Sequence, residues 1–140
     1  MIEPTTTSLG DWYAQPVAVG HRRLVLLISE HSRLPVILPG RDVKHLAENF
    51  SDALACVLFG LGIEVSAAER EVEATCEAVI AETTNRSLLG TLNDFSFMLK
   101  WRLRDELATG LVDAALRLGR TPVRPLGPGF PDRVTRALLA

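Results

Sequence analysis

The sequence has few of the features that mark specialised protein classes. Its two cysteines, Cys56 and Cys76, have no His or Cys beside them, so metal-ligand spacing and a disulfide framework are both absent, and we expect two small core residues. No apolar run approaches the roughly eighteen residues of a membrane span. Glu3, Asp11 and several threonines stand where an export signal would be apolar. These absences predict a cytoplasmic protein with no membrane partner.

An excess of charge of either sign is also missing. The formal net charge of the 140 residues is −2 at pH 7, which provides no global basic field and disfavours nucleic acid as a partner. The cations are thirteen arginines and two lysines. The codon bias of a GC-rich genome explains this ratio, although the planar guanidinium group of arginine is also well suited to binding phosphates and carboxylates. A hydrophobic content of 47% is ample for the core of one domain.

The first half of the chain contains three runs of β type, Trp12 to Val19, Arg22 to Ser29 and Leu34 to Leu38. Short polar segments separate them, which predicts an antiparallel meander of two hairpins. The middle run is apolar on both faces and should be central and covered. Pro16 and Pro35 remove hydrogen-bond donors from the outer runs and fit edge strands.

Helical spacing of apolar residues dominates the rest of the chain. A capping box of Ser66 and Glu69 predicts the start of the second helix. The segment from Glu77 to Thr84 is either a short fourth strand or a helix end, and its Val-Ile and Thr-Thr pairs favour the strand. The other predicted helices are Leu46 to Leu61, Asn85 or Ser87 to about Ala108, Thr109 to Leu118, and Asp132 to Leu139.

Together these elements predict an α+β fold in which a meander of three to four strands packs against four to five helices as a single pair of layers. We expect residues 1–8 to form a flexible tail and residues 9–119 to form one domain. Residues 120–140 are a proline-rich arm with a short C-terminal helix, suited to docking on the body or on another subunit.

One polar stripe stands out on the helix that begins near Asn85. Its residues fall within about forty degrees of each other on a helical wheel, opposite the Leu and Phe face. They are Arg86, Asn93, Lys100 and Arg104.

A second polar column follows the flank of this stripe at seven-residue spacing, formed by Ser87, Asp94 and Trp101. The structural interpretation is an ordinary solvated face with an N-cap. The functional interpretation is a binding patch for an anionic group, where free N–H groups, the helix dipole and Arg86 cooperate. The ligand-binding candidates are Arg86, Ser87, Asn85, Asn93, Lys100 and Trp12.

Catalytic and metal-binding templates are largely absent. There is no nucleophile elbow, P-loop or dinucleotide-binding glycine motif, and only Asp11 and Asp94 are weak catalytic candidates. Asp42, His45 and Glu48 have spacing that can present three ligands from one helix, but surface residues near a helix start often share it. We therefore predict no metal and no cofactor.

Three separated segments resemble an uncharacterised bacterial family of small proteins, each a domain of unknown function. They are LGDWYA at residues 9–14, GHRRLVLLISEHSRLPVILPGRD at residues 20–42, and TNRSLLGTLNDFSFMLKW at residues 84–101. The resemblance covers roughly residues 9–105 and excludes the chain from Gly119 onward. It implies a bacterial intracellular protein and transfers no catalytic residue.

Two functional hypotheses follow from the sequence. The favoured one is a small binding or interaction module that recognises an anionic ligand or a protein partner, including a second copy of itself. The alternative is a small hydrolase or nucleic-acid-processing enzyme that uses Asp11, Asp94 and Arg86. A common cleft for these three residues would favour the enzyme.

Overall fold

A four-stranded sheet organises the part of the chain that the computed structural model describes, which comprises residues 8–40, 45–75, 80–123 and 129–140. The strands are β1 (Trp12–Val19), β2 (Arg22–Ser29), β3 (Pro35–Pro39) and β4 (Ile80–Ala81). They lie in the spatial order β3-β2-β1-β4.

The first two strands begin and end at the predicted residues, and β3 is shifted by one residue. β1 and β2 pair antiparallel, with Trp12 opposite Ser29 and Val19 opposite Arg22. β2 lies between β1 and β3, which confirms that the run with apolar residues on both faces is central. β3, which begins at Pro35, is an edge strand as predicted.

The short β4 corrects the predicted topology. It pairs in parallel with Trp12 and Tyr13, so the sheet is mixed and is not an antiparallel meander. Two helices lie between β3 and β4 in the described chain, and this length of chain lets β4 run in the direction of β1. The structure supports a strand at Ile80–Ala81, whereas residues 76–79 lie outside the described residues.

The described residues form six helices, where four to five were predicted. They are α1 (Leu46–Gly60), α2 (Val65–Ala74), α3 (Arg86–Trp101), α4 (Arg104–Thr109), α5 (Leu111–Leu118) and α6 (Pro131–Leu138). None of these six is long and apolar enough to span a membrane.

The extra helix arises because the long predicted helix is broken after Trp101. The N–H groups of Arg102 and Leu103 both donate to the carbonyl of Met98, at 2.8 Å each. The bond from Leu103 spans five residues, so the chain leaves the regular α-helical path before α4 begins.

The start of α2 also differs from its prediction. The N-cap is Glu64, whose carboxylate accepts from both the hydroxyl and the backbone N–H of Ser66. Because α2 begins at Val65 and the Ser66 N–H donates to Glu64, Ser66 is not the N-cap and the predicted capping box with Glu69 does not form. These hydrogen bonds hold the pKa of Glu64 below its usual value.

Helices cover both faces of the sheet, which corrects the predicted single pair of layers. The Trp12 ring packs edge-on against Phe50 of α1, with centroids 4.9 Å apart. Three residues later, Gln15 Nε2 donates to Asn93 Oδ1 and to Ser96 Oγ of α3. Residues three apart in a strand point to opposite faces, so α1 and α3 lie on opposite sides of the sheet.

The core draws on both helical layers and on the sheet between them. Its largest fully buried side chains are Trp12, Phe50, Phe95, Leu9, Leu26, Leu27, Ile28, Leu34, Leu54, Leu58, Leu92 and Leu99. Cys56, predicted to be a core residue, is exposed, because α1 buries the face formed by Phe50, Leu54, Val57 and Leu58. Cys76 lies outside the described residues.

The segment before β1 has an architectural role. Leu9 is fully buried, and the carboxylate of Glu71 accepts the backbone N–H groups of Ser8 and Leu9, at 3.1 Å each. Gly10 follows with φ +82°, and a Cβ there would lie 2.7 Å from Glu30 Oε1. The glycine of LGDWYA is therefore required by its backbone conformation and by the close approach of Glu30. Of the predicted tail, residues 1–7 lie outside the described residues.

A buried chain of hydroxyl groups attaches α6 to the turn between β2 and β3. Thr135 Oγ1 donates to Ser32 Oγ at 2.9 Å, and the hydroxyls of Ser32 and Ser29 lie 2.7 Å apart. All three side chains have no exposed surface. The C-terminal helix is therefore docked on the body of the same chain.

The substitution Thr135→Val should lower the free energy of unfolding by about 1–2 kcal/mol, because it removes a buried hydrogen bond with little change of shape. Thr109→Val is a matched control, since Thr109 is exposed on α4 and should change stability by less than about 0.5 kcal/mol. Urea denaturation of both variants measures the difference. Equal stability of the two variants would show that the hydroxyl chain does not hold α6.

Candidate functional site

The start of α3 is organised by Asn85, one of the two caps predicted. Its Oδ1 accepts the backbone N–H of Leu88 at 3.1 Å, while its own N–H donates to Thr83 Oγ1. Asn85 is thus occupied as an N-cap. The N–H groups of Arg86 and Ser87, in the first turn, have no acceptor within the helix and face its N-terminal end.

Arg33, in the turn between β2 and β3, lies against this first turn. Its Nη2 donates to Ser87 Oγ at 3.0 Å, whereas its buried Nε and Nη1 have no partner in the described residues. Only 9% of the Arg33 surface is exposed, and its φ of +61° lies in the left-handed region that L residues rarely adopt. Burial lowers the pKa of the guanidinium, an effect opposed by Glu30 and Tyr13. Arginine nonetheless stays protonated in proteins.

Tyr13 belongs to the same electrostatic neighbourhood. Burial, together with the carboxylates of Glu30 and Asp11, raises the pKa of Tyr13, while Arg33 lowers it. The phenol therefore stays neutral at physiological pH and carries no negative charge next to Arg33.

A groove of about 520 Å³ lies along α3 from this first turn towards the C-terminal end of the helix. Its opposite wall is the segment that follows α5. The lining residues are Arg86, Ser87, Gly90, Thr91, Asp94, Phe95, Phe97, Met98, Arg102, Thr121, Pro122 and Val123. We call this feature the α3 groove.

The α3 groove follows the second polar column predicted from the sequence more closely than the main polar stripe. Ser87 and Asp94 of that column both line it, and Arg86 is the member of the stripe that does so. Asn93 points instead to β1, where it accepts from Gln15. Lys100 is exposed but is not among the lining residues.

Two further predicted site residues lie elsewhere. Trp12, predicted as a ligand contact, has no exposed surface and is not among the groove-lining residues, because its indole is part of the core. Asp11 precedes β1, and its backbone N–H donates to Glu30 Oε1. Of the two weak catalytic candidates, only Asp94 lines the α3 groove.

The histidine motif on α1 is partly described. Asp42 lies outside the described residues, and His45 Nδ1 lies 3.6 Å from Glu48 Oε2 on the exposed surface. Within the described ranges, no three His, Cys, Asp or Glu side chains are grouped so that they could hold a metal ion.

Sequence reasoning missed two components of the site. Arg33 lies more than fifty residues before Ser87 in the chain, and no local pattern indicates that its guanidinium reaches α3. The wall at 121–123 was assigned to an arm outside the domain. Its position follows from α6, because Asp132 N–H donates to the carbonyl of Gly119 and Arg136 Nε donates to that of Leu61.

The fold and the groove define an α+β domain with a mixed sheet, helices on both faces and one amphipathic groove along α3. The chain belongs to a family described as a domain of unknown function (DUF6933), whose model matches residues 2–134. This match confirms the resemblance and extends it beyond the predicted residues 9–105 into the proline-rich arm. No curated protein matches the chain.

Proposed function

We propose that the protein is a binding module that takes up a small anionic molecule in the α3 groove. The observation that carries this proposal is the buried Arg33 guanidinium, whose only hydrogen bond in the described residues is to Ser87 Oγ, a groove-lining atom. Burying a charge without full hydrogen bonding costs free energy, and so does a non-glycine residue at positive φ. Two such costs at one residue are typical of a functional site.

The hydrogen bond from Arg33 also orients Ser87 for anion binding. Because Ser87 Oγ accepts from Arg33, its own proton is available to donate into the groove. The exposed Arg86 side chain lines the same end of the groove, next to the first turn, where the N–H groups and the helix dipole favour negative charge. An anion at this end of the groove would receive several donors at once.

The surrounding charges leave the site positive. Arg33 forms no ion pair within 4.0 Å in the described part of the chain, and Glu30 acts on its guanidinium only from a longer distance. The Arg86 side chain is exposed and takes part in none of the ion pairs between the described residues. A bound anion would therefore place a negative charge next to Arg86 and the Ser87 hydroxyl, with the buried Arg33 behind them.

The alternative function, a hydrolase or nucleic-acid-processing enzyme, needs Asp11, Asp94 and Arg86 in one cleft. Asp94 and Arg86 line the α3 groove, but Asp11 does not. The groove thus lacks the second carboxylate of that hypothesis, which supports binding over catalysis. Self-association, a protein partner and a bacterial cytoplasmic location stay predictions from the sequence.

The proposal is tested by titrating the ¹⁵N-labelled protein with acetate and with inorganic phosphate at constant ionic strength. We expect amide shifts concentrated on the first turn of α3. Arg86→Ala should weaken binding by about tenfold or more, the effect of losing one charge-assisted hydrogen bond. Since Arg86 is exposed, stability should change by less than about 0.5 kcal/mol.

Two further variants make this result specific. Ser87→Ala removes the hydroxyl that links Arg33 to the groove and should also weaken binding. Lys100→Gln removes a positive charge from the same helix outside the groove and should change affinity by less than about twofold. Shifts scattered over surface arginines, or equal losses in Arg86→Ala and Lys100→Gln, would contradict the proposal.

A further inference from the structure

The α3 groove changes character along its length. At the N-terminal end it offers Arg86, the Ser87 hydroxyl and the buried charge of Arg33 behind it. Towards the other end most of its lining is aromatic and aliphatic, with Arg102 at the far end. The apolar members are Phe95, Phe97, Met98, Pro122 and Val123.

This apolar part is accessible to a ligand. Phe97 is 55% exposed, and Met98 is half-buried. Both are on α3, about 16–18 Å along the helix axis from Arg86, at 1.5 Å per residue. A volume near 520 Å³ is within the range of small-molecule sites, and the combination of a mainly apolar lining with a few convergent polar groups is typical of them.

The middle of the groove disfavours a second negative charge. Asp94 lies two turns from Arg86, about 12 Å along the axis. A polyanion lying in the groove would place further charges against this carboxylate. Arg102 is beyond Met98, at the far end, and is not next to the anion-binding turn.

From this asymmetry we infer that the ligand is an amphipathic monocarboxylate, with its carboxylate at Arg86 and Ser87 and its apolar body extending towards Met98. The inference rests on the proposed function and specifies its ligand class. A single carboxylate matches the donors of the first turn. The apolar body removes exposed aromatic surface from water, which inorganic anions cannot do.

Straight-chain carboxylates of increasing length test the inference with the full chain. Acetate, hexanoate and decanoate are titrated below their micellar concentrations, with affinities measured by calorimetry or amide shifts. Each buried methylene should raise affinity by up to about fourfold. We expect decanoate to bind more than about tenfold more tightly than hexanoate. Decan-1-ol and decyltrimethylammonium, which lack the anion, should bind at least about tenfold more weakly than decanoate.

Variants separate the two ends of the groove. Phe97→Ala should weaken decanoate binding about threefold or more and leave acetate binding unchanged. Arg86→Ala should weaken both. Phe59→Ala is the matched control, since this α1 phenylalanine is 48% exposed but lies outside the α3 groove. Phe59→Ala should change the affinity for neither decanoate nor acetate.

The other possible results distinguish failure of the proposed function from failure of the inferred ligand class. If acetate, phosphate and decanoate bind equally at the first turn of α3, the proposed function stands and the amphipathic ligand is overturned. If no anion binds there, both fail. Binding of an acetylated acidic-apolar tetrapeptide without binding of decanoate would assign the groove to a protein segment and overturn the inference.

Discussion

Replacing Phe50 with alanine is expected to lower the free energy of unfolding by about 3–5 kcal/mol. Phe50 is 1% exposed, and its ring meets the fully buried Trp12 ring at 68°. Without it, the indole would border a cavity between the sheet and α1. Since small domains are stable by about 5–15 kcal/mol, this one substitution removes a large part of the total.

Phe59→Ala is the control for this prediction, because Phe59 belongs to the same helix and is 48% exposed. It should cost less than about 1 kcal/mol. Urea denaturation followed by tryptophan fluorescence reports both variants. A cost of Phe50→Ala below about 1.5 kcal/mol would mean that the contact between the sheet and α1 is not a principal source of stability.

Glu71→Ala should release the chain before β1 and cost about 2–4 kcal/mol, since a hydrogen bond to a charged group contributes about 1.5–3 kcal/mol. Both oxygens of this buried carboxylate accept backbone N–H groups, from Ser8 and from Leu9. We also expect the amide of Leu9 to lose its protection from hydrogen exchange. Glu71→Gln keeps one acceptor, so its free energy of unfolding should lie between that of the unchanged protein and that of Glu71→Ala.

Glu73→Ala provides the comparison, since Glu73 is exposed on the same helix. It should leave the exchange of the Leu9 amide unchanged and alter stability by less than about 0.5 kcal/mol. Undiminished protection of Leu9 in Glu71→Ala would show that the segment before β1 is held by packing alone.

The strands could be predicted because their signals are local. Alternating and continuous apolar runs placed β1 and β2 to the residue. The direction of β4 could not be predicted, because a strand of two residues contains no information about its partner. The break after Trp101 was missed for a related reason, since the apolar spacing continues through Leu103 while the backbone leaves the helix.

The site was predicted in part. Helical spacing placed Ser87 and Asp94 in one column, and both line the groove with Arg86. The contribution of Arg33 depends on the antiparallel pairing of β2 and β3, which carries this turn to α3, and on a left-handed backbone that the residue type does not suggest. Burial of Trp12 likewise depends on α1, a distant element in the sequence. The position of Arg33 and the burial of Trp12 therefore depend on long-range packing, which local sequence patterns do not reveal.

The shortness of β4 has a consequence for how copies of the protein meet at high concentration. In the described residues, β1 is paired with β4 only at Trp12 and Tyr13, so the rest of β1 has no strand partner on that side. Pro16 stands in the middle of this stretch and has no N–H group to donate. The proline thus protects the domain against edge-to-edge aggregation, a hazard that a longer β4 would have removed by pairing.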